Sequence, residues 1–332
     1  MRAALCPELG APSVVSVVEQ PSPALGAGQV RVAVAAASVN FPDVLLVAGE
    51  YQIKVPPPFV PGSEFAGTVV EVGAEADGHG VSVGERVFGT GLVGAFAEEM
   101  VVAPAAVTRI PDGVDEAHAA AFGVAHRTAY HVLRSVAAVQ PGEQVVVLGA
   151  GGGVGLAAVQ LACLLGAEVI AVASSPEKLA VAEAYGATHL IDHRASDVRQ
   201  ALREVRPDGT DVVVDPVGGD LAEAVLRSLH WGGRFVTVGY ASGTIPRIPL
   251  NLVLLKGIHI LGFEFLSFMT HLPDEAERNE AELMALLASG QALPHIGASF
   301  ALDDVVTALE HVGDGAAIGK VVLLLVGDGA RR

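Results

Sequence analysis

Residues 144–155 read QVVVLGAGGGVG, an apolar run that breaks into glycines and then continues as LAAVQLA. A buried strand that enters a glycine turn and leaves as a helix can hold a dinucleotide. Glycines allow the tight turn, close approach of a pyrophosphate, and close helix–strand packing, while the helix N-terminus presents unpaired N–H groups. A G-x-G-x-x-G pattern begun at Gly149 fails, because Val154 falls on its sixth position. Begun at Ala150 it reads A-x-G-x-x-G, with Gly152 and Gly155 in place, a helix opening at about Val154, and Gly151 and Gly153 as added freedom.

The second strand of such a unit, EVIAVA at 168–173, selects the cofactor. A carboxylate at its end would bind the ribose 2′-hydroxyl of NADH. This chain instead has Ala173, Ser174 and Ser175, with Lys178 in the next turn and Arg194 just past the third strand. A carboxylate about 4 Å from a 2′-phosphate would cost roughly 4 kcal/mol per unit charge at an effective dielectric of 20. Its absence, beside two cations, favours NADPH over NADH. Ser175-Pro176 also reads as an N-cap and first helical residue, and the two roles are compatible.

The elements around these residues set the fold class. At 332 residues, two domains are expected. Strand candidates at 144–149, 168–173, 189–191, 211–215, 234–239 and 258–263 lack polar alternation, and helical segments at 154–165, 176–185, 196–205 and 219–230 separate most of them. That rhythm predicts α/β architecture, a doubly wound parallel sheet covered on both faces. Up to about residue 120 the texture is different, with short β-branched runs punctuated by Gly and Pro, which predicts a β-rich domain. A helix at 275–289, another at 302–312 and the strand GKVVLLLV follow, and this tail is expected to return to the first domain.

Composition excludes other classes. The formal charge of −17 opposes binding of nucleic acid or an anionic membrane. Cys6 and Cys163 are the only cysteines, too few for a disulfide framework or a Cys-rich metal cluster. MRAALCPELG has no apolar stretch of signal-peptide length, and no run of about 20 apolar residues escapes interruption. A cytoplasmic location is expected.

Over most of its length the chain resembles the zinc-free quinone oxidoreductases (zeta-crystallin type) of the medium-chain dehydrogenase/reductase superfamily. The resemblance rests on NFPDVLLVAGEY, PGSEFAGTVVEVG, RTAYHVL, GAGGGVGLAAVQLA, VDPVGG, GGRFVTVGYASGTIP, NLVLLKGIHILGF and GKVVL, in that order. It implies a GroES-like catalytic domain at 1–120 completed by 265–332, and a Rossmann NADP(H)-binding domain at 121–264. It also implies a homodimer joined through IHILGF. Asn40, Asp43 and Tyr51 would line the nicotinamide pocket as the catalytic set. Phe41, Thr128, Tyr130, Val217, the Val238-Gly239-Tyr240 loop and the Gly262-Phe263-Glu264 loop would approach the cofactor. His193 stands where relatives often carry Tyr beside the adenosine phosphate.

Zinc-dependent relatives place a Cys near Asn40, Gly-His-Glu at Gly62-Ser63-Glu64, and a four-Cys loop near residue 90. This chain has Asn40, Ser63 and the Cys-free GTGLVGAFAEEM there. Since a catalytic zinc needs three N, S or O protein ligands, no metal is expected, and Glu64 is expected in a structural hydrogen bond or salt bridge. His189, Asp192 and His193 read as surface groups at a strand end, and His118, His126 and His131 lack a metalloenzyme spacing.

Hydride transfer to a simple carbonyl creates an alkoxide, whose conjugate acid has a pKa near that of water, about 16. A quinone yields a phenolate-like anion with a pKa near tyrosine's, about 10; the difference of about six units is worth roughly 8 kcal/mol. None of Tyr51, Tyr130, Tyr185 and Tyr240 is followed four residues later by Lys, the pair that short-chain reductases use. The expectation is therefore metal-free, NADPH-dependent reduction of quinones or activated enones. Reduction of enoyl thioesters with Tyr51 as proton donor is the alternative, and a non-catalytic, crystallin-like NADPH-binding protein is a third reading.

Overall fold

The computed structural model describes residues 1–76 and 80–325. Two compact units divide the chain, one formed by Met1–Val124 together with the tail from Leu293, the other by Ala125–Ala292.

In chain order, the first unit contributes β1 (Arg2–Leu5), β2 (Ser16–Glu19), β3 (Val30–Val39), α1 (Phe41–Ala48), β4 (Glu64–Val72), β5 (Arg86–Thr90), β6 (Glu99–Val102), β7 (Val107–Arg109) and α2 (Glu116–Phe122). The second contains α3 (Ala125–His131), β8 (Gln144–Leu148), α4 (Gly153–Leu164), β9 (Glu168–Ala173), α5 (Pro176–Ala184), β10 (His189–Asp192), α6 (Val198–Val205), β11 (Thr210–Asp215), α7 (Leu221–Leu226), β12 (Leu229–Thr237), α8 (Leu250–Lys256), β13 (His259–Gly262), α9 (Phe265–His271) and α10 (Pro273–Ala288). The tail adds β14 (Ile296–Ala301), α11 (Val305–Gly313) and β15 (Lys320–Leu324) to the first unit.

The second unit's sheet has the order β10-β9-β8-β11-β12-β13, and every pairing is parallel. Numbered within the unit this is 3-2-1-4-5-6, the doubly wound order whose switch point lies between β8 and β11. Val145–Leu148, Val169–Val172 and Val212–Val214 are fully buried, which is why these strands show no polar alternation.

The first unit's larger sheet runs β14-β15-β3-β4-β5-β7, with β6 also paired to β3. Val321 pairs with Val39 and Ser38 with Glu64, so the ends of β15, β3 and β4 lie side by side. Lys320, Asn40 and Glu64, far apart in the chain, thereby meet. Phe65, Phe96, Val32, Leu302 and Leu309 are among the core residues beneath.

The domain boundary departs from expectation at one end. Residues 265–292 belong to the second unit, not the first, because α10 is tied to α3. Glu280 accepts from Arg127 Nε at 2.7 Å, and Glu282 accepts from the Tyr130 hydroxyl at 2.7 Å and Arg134 Nε at 3.0 Å. Helices α1, α2, α3, α8 and α9 fall in segments without an expected helix, and the 219–230 segment shortens to 221–226 because β12 begins at Leu229.

Candidate functional site

In the first unit, Asn40 is the N-cap of α1, and its N–H donates to Asp43 Oδ2 at 2.7 Å. This ties Asp43, on the first turn, back into the protein. Asn40 Nδ2 donates to Glu64 Oε1 at 2.8 Å and to Ser63 Oγ at 3.3 Å. Lys320 Nζ donates to Asn40 Oδ1 and to Glu64 Oε1, both at 2.5 Å. The other Glu64 oxygen accepts the Val124 N–H at 2.7 Å.

These groups are largely buried. Asp43 and Glu64 are fully buried and Asn40 and Lys320 nearly so, while Ser63 is half-buried. Burial pushes the Asp43 carboxyl up to about 7; the Asn40 N–H, nearby Ser63 and Lys320 pull it down, and Glu64 pushes it further up. Asp43 Oδ1 has no partner among the described residues. The structure thus brings Asn40 and Asp43 together, pairs Glu64 with a cation as expected, and adds Lys320, which the sequence reading passed over. One signal could have found it: Lys320 is the sole charge heading the otherwise apolar KVVLLLV, and a lysine at a buried strand end needs a partner. Tyr51 follows α1 and packs half-buried against the core of the same unit. Phe41 is the first residue of α1, half-buried.

In the second unit, β8 enters the glycine turn with Gly149 at φ +60°, and Gly152 N–H returns to the Gly149 carbonyl at 2.9 Å. Ala150 is buried. Gly152 caps α4, whose first turn contains Gly153, Val154 and Gly155. A Cβ on Gly155 would stand 2.0 Å from the Gly149 oxygen, so that position enforces the close helix–strand approach of a dinucleotide turn. The first bond into the helix from this end is Leu156 N–H to the Gly152 carbonyl, so the N–H groups of Gly153, Val154 and Gly155 lie ahead of the helical ladder, where a ligand at a helix N-terminus would meet them. Val217, whose N–H bonds Asp215, leans over Gly149, where it would lie 2.7 Å from an added Cβ.

At the end of β9, Ser175 caps α5 by accepting the Lys178 N–H. Lys178 Nζ reaches Ser174 Oγ at 3.4 Å, its stem lying over Gly151. Burial, then neighbouring Arg194, lowers the Lys178 pKa, and the same two causes in the same order lower that of His193. Lys178 and Arg194, like charges near one another, suit an anion.

The other expected cofactor residues have varied settings. Val238 N–H bonds the Asp215 carbonyl, and Gly239 and an exposed Tyr240 follow at the end of β12. Gly262 ends β13; Phe263 stacks on buried His131 with centroids 6.2 Å apart. Thr128 is half-buried on α3. Two residues are engaged architecturally. Tyr130 is buried, with its hydroxyl on Glu282 and its pKa pushed up to about 12, first by burial. Glu264 caps α9 through the N–H groups of Leu266 and Ser267. His131 itself is the other feature missed from sequence: its Nε2 meets Glu280 and its Nδ1 meets Asn279.

Residues 26–112 match the profile of the alcohol dehydrogenase GroES-like domain, and residues 153–287 that of zinc-binding dehydrogenase. The chain is 38% identical over 326 residues to quinone oxidoreductase-like protein 2 homolog of Nematostella vectensis, covering 97% of this chain and 88% of that one. It is 40% identical over 301 residues to the polyketide synthase GfsB of Streptomyces halstedii, covering 89% of this chain and 5% of that protein. Among solved structures, Escherichia coli quinone oxidoreductase complexed with NADPH superposes with a TM-score of 0.88 at 27% identity, over 98% of this chain and all (100%) of that one.

Likeness to zinc-binding dehydrogenases raises the question of zinc, and the donor set at this cluster does not fit it. Both Glu64 oxygens and the Asn40 carbonyl oxygen already accept hydrogen bonds, two of the three atoms from an ammonium that a divalent ion would have to displace. Ser63 offers a neutral hydroxyl where a zinc site uses imidazole or thiolate. Among the described residues no three His, Cys, Asp or Glu side chains gather as a metal site. The dinucleotide turn, by contrast, fits its ligand: a cradle that an added Cβ would fill, an open helix N-terminus, and two neighbouring cations, Lys178 on α5 and Arg194 past β10. With both family profiles, a relative matched over most of both chains and the doubly wound order in agreement, the chain belongs to the quinone oxidoreductase enzymes of the medium-chain dehydrogenase/reductase superfamily.

Proposed function

We propose that this enzyme transfers hydride from NADPH to quinones or activated enones without a metal. The observation that carries the reading is the Lys320 ammonium bonded to Glu64 and Asn40, which occupies the acceptor atoms that a Lewis-acidic ion would need at this cluster. An acceptor here must stabilise its own charge, as a quinone does. NADPH, when bound, supplies the hydride. Gly152, Gly153, Val154 and Gly155 would hold its pyrophosphate, and Ser174, Lys178 and Arg194 its 2′-phosphate. Asn40 and Tyr51 would orient a planar acceptor, so that proximity does most of the work.

Likeness to a polyketide synthase segment supports the second reading, reduction of an enoyl thioester with Tyr51 as proton donor. One panel separates the two: NADPH and NADH against quinones, enones and enoyl thioesters, with metal analysis of the same sample. Quinone or enone turnover by metal-free protein is expected. Thioester turnover alone, lost in Tyr51→Phe, would transfer the assignment to the second reading.

We further propose a homodimer built on β13. This strand ends the second unit's sheet and has no outer partner among the described residues. Leu254 and Leu255 on the preceding helix are 79% and 70% exposed, and Leu250 and Leu266 are exposed as well. An unpaired strand beside exposed leucines suits isologous pairing with a second copy. Sedimentation should give twice the chain mass, falling to one chain in the Leu254→Glu/Leu255→Glu variant; a monomeric parent would refute it.

A further inference from the structure

Lys320 is a buried cation at a place where the mechanism proposed above assigns it no role. Its side chain is 4% exposed. A lysine so placed survives charged only if it is paired and hydrogen-bonded, and its two acceptors are the Glu64 carboxylate and the Asn40 amide oxygen. The lysine also dictates the orientation of Asn40. With Oδ1 on the ammonium, Nδ2 turns to Glu64 and Ser63. The flipped amide would set an NH2 against the ammonium and an oxygen against the carboxylate, and both contacts repel.

We propose that Lys320 is the positioning cation of this site. It pairs with Glu64 and locks the Asn40 amide with its NH2 on Ser63, the half-buried member of this otherwise buried cluster. The inference rests on the metal-free reading of the site but concerns the chain's own residues. Three features support a built device. Lys320 heads β15, whose register on β3, together with that of β4 on β3, carries it to Glu64. Gly319, at φ +67°, sits where a Cβ would stand 2.4 Å from the His295 carbonyl, so the approach to Lys320 is sterically specified. The second Glu64 oxygen is held by a backbone N–H, leaving the carboxylate no freedom to turn away.

The test uses the full chain with Lys320→Met, Lys320→Arg, Glu64→Gln and the Lys320→Met/Glu64→Gln double variant. In the absence of cofactor, the two single neutralisations should each lower the unfolding midpoint, and the double variant should lose less than their sum, since each single leaves one buried group unpaired. In turnover with NADPH and a quinone, Lys320→Met should lose about ten-fold or more in kcat while KM for NADPH stays within about two-fold. Lys320→Arg should recover part of that loss. A folded Lys320→Met enzyme with parental kcat, or additive midpoint changes, would overturn the role of Lys320 and leave the metal-free assignment standing. Stoichiometric zinc in the parent, lost in Glu64→Gln, would overturn both. If the parent reduces no quinone or enone, the functional reading fails alone, and the stability coupling still decides for or against Lys320. Should Lys320→Met not fold, the double variant, a neutral pair of similar volume, carries the kinetic comparison: parental kcat there refutes the proposal, and a loss like that expected of the single variant supports it.

Discussion

Replacing Lys178 with Met should cut kcat/KM for NADPH by about ten- to a hundred-fold while leaving that for NADH within about two-fold. A hydrogen bond to a charged partner contributes about 1.5–3 kcal/mol, and each 1.36 kcal/mol is one decade. Methionine keeps the stem that lies over Gly151, where an added Cβ would stand 2.5 Å from the Lys178 Cβ, so the turn itself should persist. What disappears is the ammonium beside Ser174 and near Arg194. In the free protein Lys178 is held below its ordinary pKa, mostly by burial and further by the neighbouring guanidinium. A 2′-phosphate would relieve that opposition, and NADH has no group to do so. Steady-state kinetics with both cofactors, and their binding followed by nicotinamide fluorescence, check the result. Equal losses for the two would show that Lys178 supports the turn without reading the phosphate.

The two halves of the site were legible to different degrees. The glycine turn could be read because strand, turn and helix are contiguous and each glycine has a local reason. Even the choice of Gly152 and Gly155 over a frame begun at Gly149 agrees with the close approach of Gly155 to the Gly149 carbonyl. The first unit's cluster depends on strands distant in sequence. Glu64 and Lys320 are 256 residues apart, and only the β15–β3–β4 register joins them, which no local pattern announces. The boundary at 265 was misplaced for the same reason: α10 is an ordinary amphipathic helix until Glu280 and Glu282 meet Arg127, Tyr130 and Arg134 on α3. Helix α1 was hidden by the Pro in NFPDVLLVAG, which is acceptable in a first turn, as the Asn40 cap shows.

Converting Asp43 to Asn should make the protein increasingly more stable than the parent as pH rises from about 4 to 8. Asp43 is fully buried, and its pKa stands at about 7 against an ordinary 3.8. Between those values the folded chain retains a proton that the unfolded chain has released, so the parent's stability falls as pH rises. The contribution is fully present below about 4 and is lost through about 7. A shift of roughly three units amounts to about 4 kcal/mol at 1.36 kcal/mol per unit. Asparagine still offers an oxygen to the Asn40 N–H and does not titrate, so the stability gap between variant and parent isolates this group. The charges facing it in the cluster are Glu64, which raises its pKa, and Lys320, which lowers it. Denaturant unfolding of both proteins at a series of pH values measures the gap. A gap that stays level would mean that Asp43 does not titrate in this range, and one that moves toward the parent with rising pH would mean that its pKa is depressed in the fold. The expected slope follows from charge balance: of two buried carboxylates near one ammonium, Glu64 bonds it directly, and between about pH 4 and 7 the energetically easier state for Asp43 is to keep its proton.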